Sequence, residues 1–280
     1  MKNVILFDGG MGQELVHRNN STNDPLWSTR VLMDNISLVE DLHKEYINSG
    51  ARVISLNSYT VTPQRLKKFN LENKFENLQK LSILAAKKAI KAYPKKEIKI
   101  AGCIPPLEGS YLQKTSISDV EMKNTYKQIG SIQKDDVDFF ICETMSSIKE
   151  AKNAVEGLKN LNKKIIVSFC VMEGNGHKLM SGETLKEACE CVSKYDIHGL
   201  MINCSQIEDI YLSVPILKKF NLPFGAFPNN FKSVMPLKLG MSVDILSKRE
   251  DINIAIFTHH VKKWIEMGVT FVGGCCEISP

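Results

Sequence analysis

The segment Gly273-Gly274-Cys275-Cys276 carries the densest chemistry in the chain. On a regular strand successive side chains face opposite ways, so adjacent cysteines serve one site only where the backbone turns. The two preceding glycines permit such a turn. A third cysteine closes Ile202-Asn203-Cys204. If both segments end strands on the same face of a parallel barrel, Cys204, Cys275 and Cys276 converge although they are far apart in sequence. Three protein ligands with an open fourth position are the pattern of a catalytic zinc, and sulfur donors favour zinc over magnesium or calcium. Each cysteine alone reads as ordinary buried packing. The doublet behind two glycines is what argues for a metal.

Asp8-Gly9-Gly10-Met11-Gly12 lacks the spacing of a dinucleotide loop. Its glycines allow a close backbone approach, and the amides of Gly9 and Gly10 suit a carboxylate. Asp8 and Glu143 both end apolar runs, in Phe7-Asp8-Gly9 and Cys142-Glu143-Thr144. Two carboxylates on one face suit an ammonium group, although each alone also fits a loop acid or a helix cap. The other cysteines lack this setting. Cys103, Cys142 and Cys170 lie within apolar runs and read as barrel packing, while Cys189 and Cys191 stand two apart on a helical segment and face different directions. The histidines show no paired ligand spacing, and His259-His260 ahead of Trp264 reads as surface or packing.

The elements that must position these residues are legible as short apolar runs at residues 4–8, 53–57, 98–103, 139–143, 165–171, 200–204, 224–228 and 271–275. Helical spacing fills the intervals at 38–49, 75–92, 119–133, 148–161, 184–194, 207–220 and 253–267. In the second of these, Leu78, Leu81, Ile83, Leu84, Ala85 and Ala89 form an apolar stripe, and Ser118 with Glu121 suggests a capping box before the third. Strands that are apolar throughout and alternate with helices imply a parallel sheet covered on both faces. Eight of them favour an α/β fold of the TIM barrel type, a single (β/α)8 domain over residues 1–280. The long connections 9–35 and 229–251 read as loops at the active-site end.

Composition agrees with a soluble globular domain of this class. The 280 residues are 43% hydrophobic and 24% charged, which excludes fibrous and disordered classes. The net charge of +5 is mostly dispersed lysine rather than a nucleic-acid footprint. No apolar run reaches the ~18 residues of a membrane span, and the N-terminal run is too short for a secretory signal, so a cytoplasmic location is expected.

Taken in order, these segments resemble the homocysteine S-methyltransferase family across nearly the whole chain. The matching stretches run from Phe7 to Leu15, then Pro25-Leu26-Trp27-Ser28, Ser58-Tyr59 with Thr62-Pro63, Glu143-Thr144, Ser181-Gly182-Glu183-Thr184, Ile202-Asn203-Cys204, Pro228-Asn229 and the stretch from Trp264 to Cys276. The resemblance implies a (β/α)8 barrel binding one Zn2+ through Cys204, Cys275 and Cys276. The Leu26-Trp27-Ser28 segment is most similar to the branch that uses S-methylmethionine or S-adenosylmethionine. It implies methyl transfer from a sulfonium to homocysteine, giving methionine. Asp8, Gly9, Gly10, Glu143 and Asn203 are then the expected homocysteine contacts, and the aromatic faces of Tyr59 and Trp27 would meet the donor cation. A free thiol with pKa about 8.5 is mostly protonated at neutral pH, and metal ligation supplies the thiolate. The alternatives are a betaine or other donor, or a non-catalytic zinc- or thiol-binding barrel. Two departures from the family stand out: Ile104-Pro105-Pro106-Leu107-Glu108-Gly109 replaces a more glycine-rich turn, and the sequence ends four residues after Cys276.

Overall fold

A computed structural model describes residues 4–20, 24–237, 239, 241 and 243–280. All eight apolar runs contribute strands to one parallel sheet: β1 (Ile5–Leu6), β2 (Val53–Ser55), β3 (Lys99–Ile104), β4 (Phe139–Met145), β5 (Lys164–Phe169), β6 (Gly199–Ser205), β7 (Phe224–Pro228) and β8 (Phe271–Val272). β1 pairs with β8 and β2 with β3, so β1 and β2 end the ladder. A bridge between Phe7 and Val53, with hydrogen bonds from the Asp8 amide to Val53 O (3.0 Å) and from the Arg52 amide to Leu6 O (2.7 Å), brings the ends together. The expected α/β barrel is therefore observed.

The interior is packed rather than hollow. Phe7, Val53, Ala101, Phe139, Ile141, Ile166, Met201, Phe227 and Phe271 form its buried cluster, with the Phe7 ring 5.0 Å from Phe227 and 5.7 Å from Phe271. A second, larger core lies between sheet and helices. Every residue of β6 is buried, as expected for a strand covered on both faces.

The seven expected helices are present, with ends moved by a few residues. On helix Phe75–Lys91 the stripe is corrected at one position. Leu84 is 43% exposed, and Ala86 is fully buried instead. Ser118 caps its helix through the Glu121 amide, but Glu121 turns away to accept from Gln64; the reciprocal capping box is at Thr184 and Glu187. The connection 9–35 is not simply a loop. It contains helices Met11–Arg18 and Ser28–Asp34. An unforeseen antiparallel hairpin, Val171–Met172 with Asn175–Leu179, follows β5. Among the described residues, no helix is long and apolar enough to cross a membrane.

Candidate active site

The carboxyl ends of the strands surround a pocket lined by all ten residues expected to contact substrate or metal: Asp8, Gly9, Gly10, Trp27, Tyr59, Glu143, Asn203, Cys204, Cys275 and Cys276. The sulfurs of Cys204, Cys275 and Cys276 lie within 4.8 Å of one another. Cys204 and Cys275, with Cα atoms 5.5 Å apart, are paired as a disulfide, and Cys276 is a free buried thiol. A tetrahedral zinc with bonds of about 2.3 Å needs sulfurs roughly 4 Å apart, so the reduced cluster fits the ion after small movements. Burial pushes the Cys276 thiol up to about 12, and Glu277 adds to the shift. A thiolate in this setting needs a cation beside it, which suits a metal site.

Local backbone geometry creates this convergence. The β6–β7 register shifts between Asn203 and Ser205, and Cys204 has φ +51°. A matching shift between Cys142 and Met145 accompanies Thr144 at φ +57°. Asn203 ties the two irregularities together. Its Oδ1 accepts from the Thr144 amide (2.8 Å) and from Ser168 Oγ (2.7 Å), while its Nδ2 donates to Thr144 Oγ1 (2.8 Å). These bonds occupy both oxygen lone pairs and one of two N–H donors, so Asn203 has one N–H left to offer a ligand.

Gly10 is required by the chain itself. A Cβ there would lie 2.6 Å from Cys275 O, and the Gly10 amide donates to Ile278 O (2.7 Å). That amide is engaged, contrary to the expectation that it is available to a substrate carboxylate. The buried Glu277 side chain lies near His17 Nε2 (3.7 Å) and Lys248 Nζ (3.4 Å), tying the cysteine turn to helix Met11–Arg18 and to the connection after β7.

Both acids line the pocket, and the charge of Glu143 is felt at Asp8. Asp8 accepts from the Ser55 amide (2.6 Å) and Ser55 Oγ (3.1 Å). Burial nevertheless raises its carboxyl from 3.8 to about 7, with Glu143 contributing. Burial also raises Glu143 to about 7, opposed by the Cys103 thiol and by Arg65. A ligand ammonium between them would relieve both penalties.

The aromatic wall is anchored by hydrogen bonds. Trp27 Nε1 donates to Gln13 Oε1 (3.0 Å), and its ring stands edge-on to Tyr59 at 6.1 Å. Tyr59 hydroxyl bonds Ser110 Oγ (2.8 Å), and the Arg65 guanidinium lies 5.1 Å from the ring centroid. Sequence reading missed Arg65, Lys68 and Tyr111, which line the pocket together with Glu108 and Gly109 of the turn that departs from the family pattern. Their signal was positional: all follow strand ends, where this fold builds its sites. Cys170 is buried packing as expected, with its sulfur 3.4 Å from Cys204 O, and is not one of those overlooked pocket residues.

Comparison with known proteins adds identity to this geometry. The chain is 26% identical over 307 residues to a selenocysteine methyltransferase of Astragalus bisulcatus, covering 97% of this chain and 88% of that protein. It is 25% identical over 298 residues to the homocysteine S-methyltransferase of Escherichia coli K12, covering 100% and 93%. The metallated form of the Escherichia coli homocysteine methyltransferase MmuM superposes with a TM-score of 0.82 at 23% identity, covering 100% of this chain and 93% of that one, and shares its fold. The profile described as homocysteine S-methyltransferase matches residues 5–280, and the chain belongs to that family of methyltransferases.

Proposed function

We propose that the protein transfers a methyl group from a sulfonium donor, S-methylmethionine or S-adenosylmethionine, to the thiol of L-homocysteine, giving methionine. The observation that carries this reading is the meeting of three sulfurs, the buried Asp8 carboxyl and the half-buried Glu143 carboxyl in one aromatic-walled pocket. Cys204, Cys275 and Cys276 would hold one Zn2+. When bound, it supplies Lewis acidity that keeps the acceptor sulfur as a thiolate at neutral pH.

The protein's own residues then bind and orient. Asp8 and Glu143 accept the homocysteine ammonium, which fixes the amino-acid end beside the cysteine turn. Trp27 and Tyr59 offer π faces to the onium methyls, and that attraction weakens once the donor becomes a neutral thioether. Asn203 acts mainly by holding Thr144 and Cys204 in place, with one N–H toward the ligand. Most of the rate would come from presenting nucleophile and methyl in line, without a covalent enzyme intermediate. In this reading the chain is one homocysteine-binding domain.

The test is a donor screen on reduced protein whose zinc content is measured in parallel. About one zinc per chain is expected, lowered by Cys275→Ala or Cys276→Ala together with turnover. Methionine should form with a sulfonium donor and homocysteine, and the Astragalus relative's name puts selenocysteine on the acceptor panel. Turnover with betaine alone would reject the donor assignment. Bound zinc without transfer from any donor would reject the reaction. Full activity in all three cysteine variants would reject the site.

A further inference from the structure

Arg65 is held differently from three other arginines of the chain. Arg18 forks onto Glu45 and also bonds Glu14, Arg30 pairs with Asp24, and Arg249 reaches Glu208 and Asp251. Arg65 lines the pocket, yet among the described residues no carboxylate pairs with it. One terminal nitrogen donates to Pro106 O (3.0 Å), and its Nε is buried with no hydrogen-bond partner. A buried N–H without an acceptor is costly, and a guanidinium with no paired acid on a pocket wall favours an anion there.

Its surroundings define that ligand. Lys68, on the next turn, also lines the pocket and reaches Glu108 O at 3.4 Å. Together the two cations favour an anion. Asp8, Glu108 and Glu143 line the same cavity, so a dianion such as a phosphate would meet three carboxyls. A single carboxylate matches the guanidinium fork at lower cost. The guanidinium lies 5.1 Å from the Tyr59 ring, the proposed contact of the onium centre. An amino-acid sulfonium carries its carboxylate a short saturated chain away from that centre, so guanidinium and ring can meet its two ends.

We infer that Arg65, assisted by Lys68, receives the carboxylate of the methyl donor and selects donors that combine an onium centre with a carboxylate. The inference rests on the methyl-transfer reading above. It gives the donor and the acceptor separate polar anchors: Arg65 for one, Asp8 with Glu143 for the other.

The experiment measures initial rates of the zinc-loaded enzyme with homocysteine and either S-methylmethionine or its methyl ester. In Arg65→Gln the KM for S-methylmethionine should rise about tenfold or more, the loss expected for a charge-assisted hydrogen bond, while the KM for homocysteine moves less than about twofold. The ester should be a poor donor for both enzymes, with no further loss in Arg65→Gln. Arg65→Lys, which keeps the charge without the fork, should fall between. Equal losses on acid and ester would overturn the inference, as would a loss confined to the homocysteine KM, which would assign Arg65 to the acceptor's carboxylate. Normal kinetics in Arg65→Gln would overturn it alone. A wild-type enzyme inactive with every sulfonium would overturn it together with the methyl-transfer reading.

Discussion

Replacing Asp8 by asparagine should make the protein more stable at high pH and worse at binding homocysteine. Asp8 is 5% exposed, and burial raises its carboxyl from 3.8 to about 7. An acid whose folded pKa lies above its unfolded value contributes stability that is fully present below the unfolded pKa. That contribution is lost as pH rises through the folded one. Between pH 5 and pH 8 the shift amounts to about 3 kcal/mol lost by the wild type and not by the amide. The carboxamide of the Asp8→Asn variant can still accept from the Ser55 amide, and the Ser55 hydroxyl can rotate to accept from the new NH2 group. The melting temperature of the variant relative to wild type should therefore climb by roughly 5–10 °C between pH 5 and pH 8. At pH 8 the variant's KM for homocysteine should exceed that of wild type by about tenfold or more, because the carboxylate that meets the ammonium is gone. Differential scanning fluorimetry of substrate-free enzyme and initial rates at saturating donor measure the two effects. A pH-independent difference in melting temperature would refute the buried-charge argument. An unchanged KM would remove Asp8 from the amine site.

Three further outcomes follow from the geometry. Gly10→Ala, whose Cβ would lie 2.6 Å from Cys275 O, should displace the cysteine turn, lowering zinc content and melting temperature together; full zinc content would contradict the close approach. Asn203→Ala leaves the Thr144 amide and the Ser168 hydroxyl unpartnered and should cost about 1–3 kcal/mol per unsatisfied group in denaturant titrations, with loss of turnover; an unperturbed midpoint would dismiss the latch. Tyr59→Leu should raise the KM for S-methylmethionine only a few-fold, because a cation–π contact contributes about 0.5–2 kcal/mol and Arg65 already lies near the ring; an equal rise for homocysteine would indicate a collapsed pocket.

The barrel was legible because a parallel strand buried on both faces leaves a continuous apolar run, and all eight runs became strands. The errors have local causes. The last run was expected to reach Cys275, but the paired strand ends at Val272, where Gly273 and Gly274 begin the departure that turns the cysteines inward. Helices Met11–Arg18 and Ser28–Asp34 were not foreseen because neither opens with a side-chain cap: Gly10 and Trp27 hold those positions. The cysteine cluster was visible as a doublet behind two glycines. Arg65 was not, since nothing in Thr62-Pro63-Gln64-Arg65 announces that the side chain will end beside Tyr59 without an acid.

The least legible feature is also the one that best separates the site from the rest of the barrel. Among the described residues, nine non-glycine residues have positive φ. Four are asparagines, which tolerate that conformation through local side-chain bonding. The other five are Trp27, Tyr111, Thr144, Cys204 and Glu277; the first four line the pocket, and the fifth follows Cys276. Each costs of order 1–3 kcal/mol in isolation and persists only where neighbouring contacts over-determine it. Those contacts are present: Gln13 holds Trp27, Asn203 holds Thr144, and His17 with Lys248 flank Glu277. Composition and periodicity report what a residue is and which face it shares, and they carry no trace of a left-handed threonine or cysteine. The partner that stabilises Thr144 lies 59 positions away, so the bend becomes intelligible only once β4 and β6 stand on opposite sides of β5.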